Sequence, residues 1–501
     1  MQLRPVAVAL GLLGILVILP GTVRAAGADS PLIDAIKAGD RDAVRTLLKT
    51  PSAVRVQEPD GTTPLHWAVL KDDLETVQRL LRAGASVKSA TRYGVTPLTL
   101  AATNGNPVMI QALLEAGADP NTAMPEGETV LMTAARTGKV EALRTLAQHG
   151  ANVNAKEQWL GETALMWAAN EGHATAVTEL LKLGADPNAR STQMSFPKAS
   201  PAVENLITMT FPQGAFTPLM YAARQGAMDA TRALVTGGAD LNAVNPDGAT
   251  AVVLAIINAH YDLAAALLDA GANPNPQDVV GMSALYAAID MQTLSWHQGR
   301  PEPKPSGELR PLDVVAKLLE KGANPNAALK KPLLQRQHTI GDPVLGEGTT
   351  PFIRAARFGD LKSMRLLLQH GANPFLTQKN LSTAIMIAAA LGTDRATEEF
   401  SMDKGTTEGA IEAIKLCLEQ GVDIDAFNIN GDTALHRATA EPIIRFLVAA
   451  GADTSVRNKL GKTPLDVAMD RKDRNGGLRY PNAVAALREL SARSGAGEQV
   501  R

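Results

Sequence analysis

The sequence predicts an all-α repeat protein: a solenoid of about twelve helix–turn–helix units with projecting hairpin loops. Three observations carry this. A block of about 33 residues recurs in one phase along most of the chain. Within a block, apolar residues fall at helical spacing, as Val177, Leu180 and Leu181 do. Glycines recur at the same places, where the backbone must turn with positive φ.

The stretch from Gly161 to Asn188 is one complete unit. Gly161 closes a tight turn. Thr163 is placed to cap the first helix through its hydroxyl. Sister copies carry proline next (Pro64, Pro97, Pro218, Pro351 and Pro464), which suits the first helical position. Ala168 and Ala169 are small enough for a neighbouring helix to approach closely. Gly172 is placed to end that helix in the left-handed region. Gly184 ends the second helix, and Asp186-Pro187-Asn188 turns the chain toward the next copy. With Gly161 as the reference position, origins fall at Ala28, Gly61, Gly94, Gly127, Gly161, Ala215, Gly248, Gly281, Gly348, Leu381, Gly431 and Gly461.

This pattern resembles the ankyrin repeat, whose Thr-Pro-Leu-His signature stands here as Thr63-Pro64-Leu65-His66. The Gly-Ala-Asp/Asn half recurs at Gly117, Gly150, Gly184, Gly238, Gly271, Gly322, Gly371 and Gly451. The resemblance covers nearly everything after the first 27 residues. It implies hairpins that project from the helices, and a scaffold for protein recognition without catalysis.

Residues 1–26 stand apart. Arg4 precedes an apolar run from Val6 to Leu19, Pro20 and Gly21 break it, and Val23-Arg24-Ala25-Ala26 follows. This is the form of a secretory signal peptide cleaved near Ala25, and the run is short for a membrane span. Residues 28–493 read as one solenoid. Its period is interrupted by insertions near 190–214, 292–311, 327–347 and 393–408. The first unit, with Thr50-Pro51-Ser52, and the last, from Gly461, read as caps, and 494–501 as a disordered tail.

Composition narrows the function. With 49 basic and 51 acidic side chains the formal charge is −2, and no basic stripe points to nucleic acid. The single cysteine, Cys417, cannot form an intrachain disulfide and lies on the apolar face of a second helix. Six of the eight histidines sit at paired repeat offsets: His66 with His436, His149 with His370, and His173 with His260. The resemblance gives such slots the task of bracing turns. His297 and His338 lie in insertions without a second ligand at metal spacing. Serine nucleophile elbows and phosphate loops are absent from the sequence. The reading therefore assigns no catalytic residue, metal or cofactor.

What remains is surface. The resemblance implies that partners meet hairpin tips and the exposed, concave side of the first helices. Those slots hold Arg92, Tyr93, Arg136, Trp159, Leu160, Arg224, Arg357 and Phe358. Arg136, Arg224 and Arg357 each stand nine residues after an origin, so equal offsets should place them in one broken row. The expected protein is an exported, periplasmic or secreted monomer. It has no stable membrane span after signal cleavage, and it is an accessory factor for another extracytoplasmic protein. Two alternatives are a secreted effector that binds a host protein, and an enzyme or small-molecule receptor with a site formed by the insertions.

Overall fold

The computed structural model describes residues 30–194, 213–293, 304–332, 344–391, 405–472 and 476–498. The predicted signal segment and the centres of the four insertions lie outside the described residues. The helices fall into two compact units, one comprising residues up to 194 with 214–240, the other residues from 241 onward.

In the first unit, helix pairs follow the sequence phase. They are Pro31–Ala38 with Arg41–Leu47, Pro64–Leu70 with Leu74–Arg82, and Pro97–Asn104 with Pro107–Glu115. Val130–Arg136 with Val140–Gln148, Ala164–Asn170 with Ala174–Lys182, and Pro218–Gln225 with Met228–Thr236 complete it. Each first helix starts where the cap predicts: Thr163 Oγ1, for instance, accepts from the Met166 N–H at 3.4 Å. The paired alanines (Ala101 and Ala102, Ala134 and Ala135, Ala168 and Ala169, Ala222 and Ala223) are wholly buried. Small side chains there let successive first helices pack closely. Val177 and Leu180 are buried on the second helix, while Leu181 is half-buried. Short strands, Gln193–Met194 and Gln213–Gly214, flank the first insertion.

The second unit repeats the scheme with Ala251–Ile257 and Tyr261–Asp269, Ala284–Gln292 and Pro311–Glu320, and Pro351–Arg357 and Leu361–Gln369. It continues with Ala384–Ala389 and Thr407–Glu419, Ala434–Arg437 and Glu441–Ala449, and Pro464–Asp470. The final helix, Pro481–Glu498, runs past Ser494 into the stretch expected to be disordered, because each residue added to an existing helix gains one backbone hydrogen bond. The return from the second insertion packs on the seventh repeat: Ser306 N donates to the Ala259 carbonyl, and Leu309 N to Asp262 Oδ2. Cys417 is buried, and burial pushes its thiol up to about 12.

Two devices tie successive repeats together. The first is an asparagine four residues after the glycine that ends the second helix in six of the repeats (Asn121, Asn154, Asn188, Asn242, Asn275 and Asn326). Asn121 Nδ2 donates to the Gly150 carbonyl, and its Oδ1 accepts from Asn152 N at 2.7 Å. Asn154 does the same with Gly184 and Asp186, and Asn188 with Gly238 and Asp240. In the second unit Asn275 joins Gly322 and Asn324, and Asn326 joins Gly371 and Asn373. The series fails at Phe375, which occupies the next such position, and resumes only in part at Asp425. A carboxylate accepts the Asp453 N–H but has no proton to donate. The second device is the buried histidine. Val95 O can only accept, so His66 Nε2 donates to it at 3.0 Å, and Nδ1 accepts from Thr63 N. His436 repeats this between Thr433 and the Lys462 carbonyl.

Both devices carry predictions. Partial burial and the carboxylates of Asp453 and Asp423 push the Asp425 carboxyl up. Asp425→Asn should therefore supply the missing donor and stabilise the fold by about 1 kcal/mol at neutral pH. The gain should shrink in acid as Asp425 takes up its proton, and thermal melts at two pH values measure it. Burial holds His66 and His436 below the ordinary histidine value of 6.5. The unfolded chain then binds more protons, so their stabilisation is complete above 6.5 and is lost as pH falls through the folded value. Glutamine at both positions keeps a donor and an acceptor but does not titrate. The double variant should melt lower at pH about 7.5 and lose less stability on acidification to about 5.5.

Candidate protein-interaction surface

The hairpins are built from backbone hydrogen bonds that run from one repeat to the next. At most origins the preceding carbonyl accepts an N–H from the following hairpin: Asp60 from Arg92, Glu126 from Gln158, and Leu160 from Thr192. Proline at 125 removes one donor from the series, and its ring lies where a side chain at Gly94 would clash.

Every described origin has positive φ, including the non-glycine residues Ala215 and Leu381. The tips therefore turn sharply and expose their central residues. Arg92 and Tyr93 stand exposed at one tip, with the guanidinium 5.2 Å from the ring centre. Trp159 is 62% exposed at another. That tip is held from below by buried Glu157. Its carboxylate accepts from the N–H groups of Trp159, Leu160 and Glu162 at 2.6, 2.7 and 2.9 Å. A carboxylate with three backbone donors fixes the loop, so Trp159 is presented with little residual freedom. Leu160 is half-buried, with its carbonyl engaged by Thr192. Sequence reading missed Glu157, because nothing in its spacing distinguishes it from a solvated acidic residue.

Behind the tips, the first helices carry a strip of charged and aromatic side chains. Arg136 pairs with Glu128 at 3.2 Å and lies 5.3 Å from the Trp167 ring centre. Its Nε is a buried donor without an acceptor among the described residues. Arg224 lies over Phe216 and Tyr221 and donates to Asn170 Oδ1 at 3.1 Å. Burial pushes the Glu162 carboxyl above its ordinary range, and the Tyr221 hydroxyl, hydrogen-bonded to it, partly opposes that rise. Burial, with the nearby Glu162 charge, raises the Tyr221 phenol as well. Arg136 and Arg224 are thus braced side chains in a packed strip of the first unit.

Arg357 and Phe358 correct the expectation of exposure. Arg357 is 1% exposed, with Nη1 donating to the Ala390 carbonyl at 3.0 Å, and Phe358 is also buried. The cause is the tenth repeat. Its helix Ala384–Ala389 packs on Pro351–Arg357, and a side-chain atom built on Gly405 would lie 3.2 Å from Phe358 Cα. Beside them is an interior ion pair the sequence did not flag: Arg354 with Asp290 at 2.8 Å. Arg354 also bonds Thr293 and lies 4.2 Å from the Phe358 ring centre. The histidines act as braces: His173 Nε2 bonds the Arg136 carbonyl, His149 and His370 bond carbonyls of their own helices, and His260 bonds Ser306. Among the described residues no cluster of three or more histidine, cysteine or carboxylate side chains could hold a metal. No described helix is long and apolar enough to cross a membrane.

Comparison with known proteins agrees with this architecture. The family model "Ankyrin repeats (3 copies)" matches residues 32–124, 109–191 and 198–294. "Ankyrin repeats (many copies)" matches 402–441, and "Ankyrin repeat" matches 347–379 and 430–459. The chain is 28% identical over 183 residues to the ankyrin repeat protein YahD of Escherichia coli (strain K12), covering 34% of this chain and 89% of that protein. It is 27% identical over 297 residues to the B-cell lymphoma 3 protein homolog of Mus musculus, covering 56% of this chain and 52% of that one. It is 41% identical over 70 residues to an ankyrin repeat-containing protein of Treponema pallidum (strain Nichols), covering 14% of this chain and 24% of that one. With those repeats matched over more than half its length, the chain belongs to the ankyrin repeat family, whose repeats are scaffolds for protein–protein interaction.

Proposed function

We propose that this protein is an exported, non-catalytic accessory factor that binds another extracytoplasmic protein through the hairpin tips and first-helix strip of its first unit. The observation that carries the binding surface is the Glu157 anchor. A large exposed ring on a loop fixed by three hydrogen bonds loses little entropy when it is covered. Support for export is the charged start, apolar run and small-residue end of residues 1–26.

Two measurements test this. Intact-mass spectrometry of protein from the extracytoplasmic fraction should show the loss of about 25 N-terminal residues. A full-length mass there, or protein confined to the cytosol, refutes export. For the surface, the partner is captured from that fraction and the variants are titrated against it. Trp159→Ala should weaken binding by roughly 1–3 kcal/mol. Glu157→Gln should weaken it less, with most of the loss in a faster dissociation, because the ring remains but its loop loosens. Arg224→Glu should slow association, with an effect that fades as salt rises. Parent-like binding by all three folded variants rules this surface out.

A further inference from the structure

A second surface lies within the second unit and shares no residue with the surface proposed above. It is made by the last three hairpins, whose carbonyls continue the inter-repeat series: Asn380 accepts from Ile429, and Asn430 from Lys459, each at 2.9 Å. These bonds place the tips side by side. Leu381, Ile429 and Leu460 are all exposed, Leu460 to 77%. Phe427 is exposed too, and Asn428 between it and Ile429 is buried, so both apolar side chains stand on the solvent side of that hairpin arm. Four large apolar side chains on three bonded hairpins form a ridge, not scattered exposure. Leu381 is also held at φ 63, where a leucine is strained and a glycine would not be.

The ridge ends on an open backbone group. In the second unit the carbonyls before Gly248, Gly281, Gly348, Leu381 and Gly431 each accept an N–H from the next hairpin, and the last in the series is Leu460. No hydrogen bond reaches its carbonyl among the described residues. An unpaired carbonyl at the end of such a series can accept the backbone N–H of an added extended segment. Charge defines the occupant. Lys379, Arg457, Lys459 and Lys462 stand on these hairpin arms in a chain of net charge −2; Lys379 pairs with Glu347 and Lys462 with Asp470, which leaves the Lys459 and Arg457 cations beside the Leu460 tip. Lys459 makes no ion pair among the described residues. A second copy fits poorly. Two such edges would oppose carbonyl to carbonyl and lysine to lysine, and the equivalent donor slot of the first described hairpin is Pro59, which has no N–H.

We infer that the Leu381–Ile429–Leu460 ridge docks an extended, acidic segment of a different protein that carries aliphatic side chains and donates a backbone N–H to the Leu460 carbonyl. This rests on the scaffold reading but uses another surface. Aliphatic side chains cover the ridge, carboxylates meet Lys459 and its neighbours, and the added strand extends the hairpin series by one.

The test uses the full chain and a fluorescein-labelled peptide of alternating leucine and aspartate, followed by fluorescence anisotropy. Controls are the same peptide with lysine for aspartate, and one N-methylated at alternate amides. Leu460→Asp and Lys459→Glu lie on exposed tips, and unchanged thermal melts show that both fold. The acidic peptide should bind the parent, about tenfold more weakly to each variant, and more weakly when N-methylated. The lysine peptide should not bind. The inference is overturned by equal binding to Leu460→Asp, by equal binding of the lysine peptide, by no binding of the acidic peptide, or by sedimentation showing a dimer that Leu460→Asp abolishes. Titration of the captured partner separates the two readings. Loss of binding in Trp159→Ala with none in Leu460→Asp leaves the scaffold reading standing and removes this ridge from that complex.

Discussion

The structure depends on a side-chain carboxamide used as a two-way clamp. An asparagine four residues past a helix-ending glycine presents one donor and one acceptor in a fixed plane. The neighbouring loop offers a carbonyl and an N–H at the matching separation, as Asn154 finds at Gly184 and Asp186. Both groups belong to loops that would otherwise leave polar backbone unsatisfied. The clamp sets the spacing of the loops, the loops set the spacing of the helices, and the wholly buried alanine pairs are small enough to accept it. Phe375 and Asp425 fall where an asparagine would sit, so the stacking of the last repeats relies more on apolar packing and on His436.

A second constraint works on the opposite end of each unit. Hairpin tips need positive φ, which glycine supplies without strain, and the carbonyl before the glycine then points at the following hairpin. The same geometry that joins the tips also exposes the residues beside the glycine. Display is thus a by-product of the fold: whatever stands at Tyr93, Trp159 or Leu460 is held out to solvent beside a turn glycine. Rigidity at the Trp159 tip comes from one added carboxylate, Glu157.

The arginines show how the fold competes with function for charged side chains. Arg136 and Arg224 carry equal offsets but are held by different partners, a carboxylate in one case and a carboxamide with two rings in the other. Arg357 has the same offset and is interior, because residues on both sides of the tenth repeat's insertion close over it and over Phe358. Its neighbour Arg354 is also interior and is compensated by Asp290 and Thr293, as a buried cation requires.

The repeat phase, the threonine helix caps, the alanine contacts and the left-handed glycines were legible in the sequence by itself, and the family resemblance added the bracing histidines. Each depends on local backbone geometry or on a neighbour at a fixed offset, and periodicity makes both visible. Tertiary structure decided the rest. Burial of Arg357 and Phe358 depends on how an irregular, non-repeating segment returns to the fold, and no period encodes that. Glu157 became an anchor only because three N–H groups converge on it, and the asparagine clamps only because two loops meet at hydrogen-bonding distance. A repeating sequence determines what recurs between neighbours. Where the repeat is broken, which side chain is covered is settled by chain segments far apart in sequence, and only their packing in three dimensions reveals it.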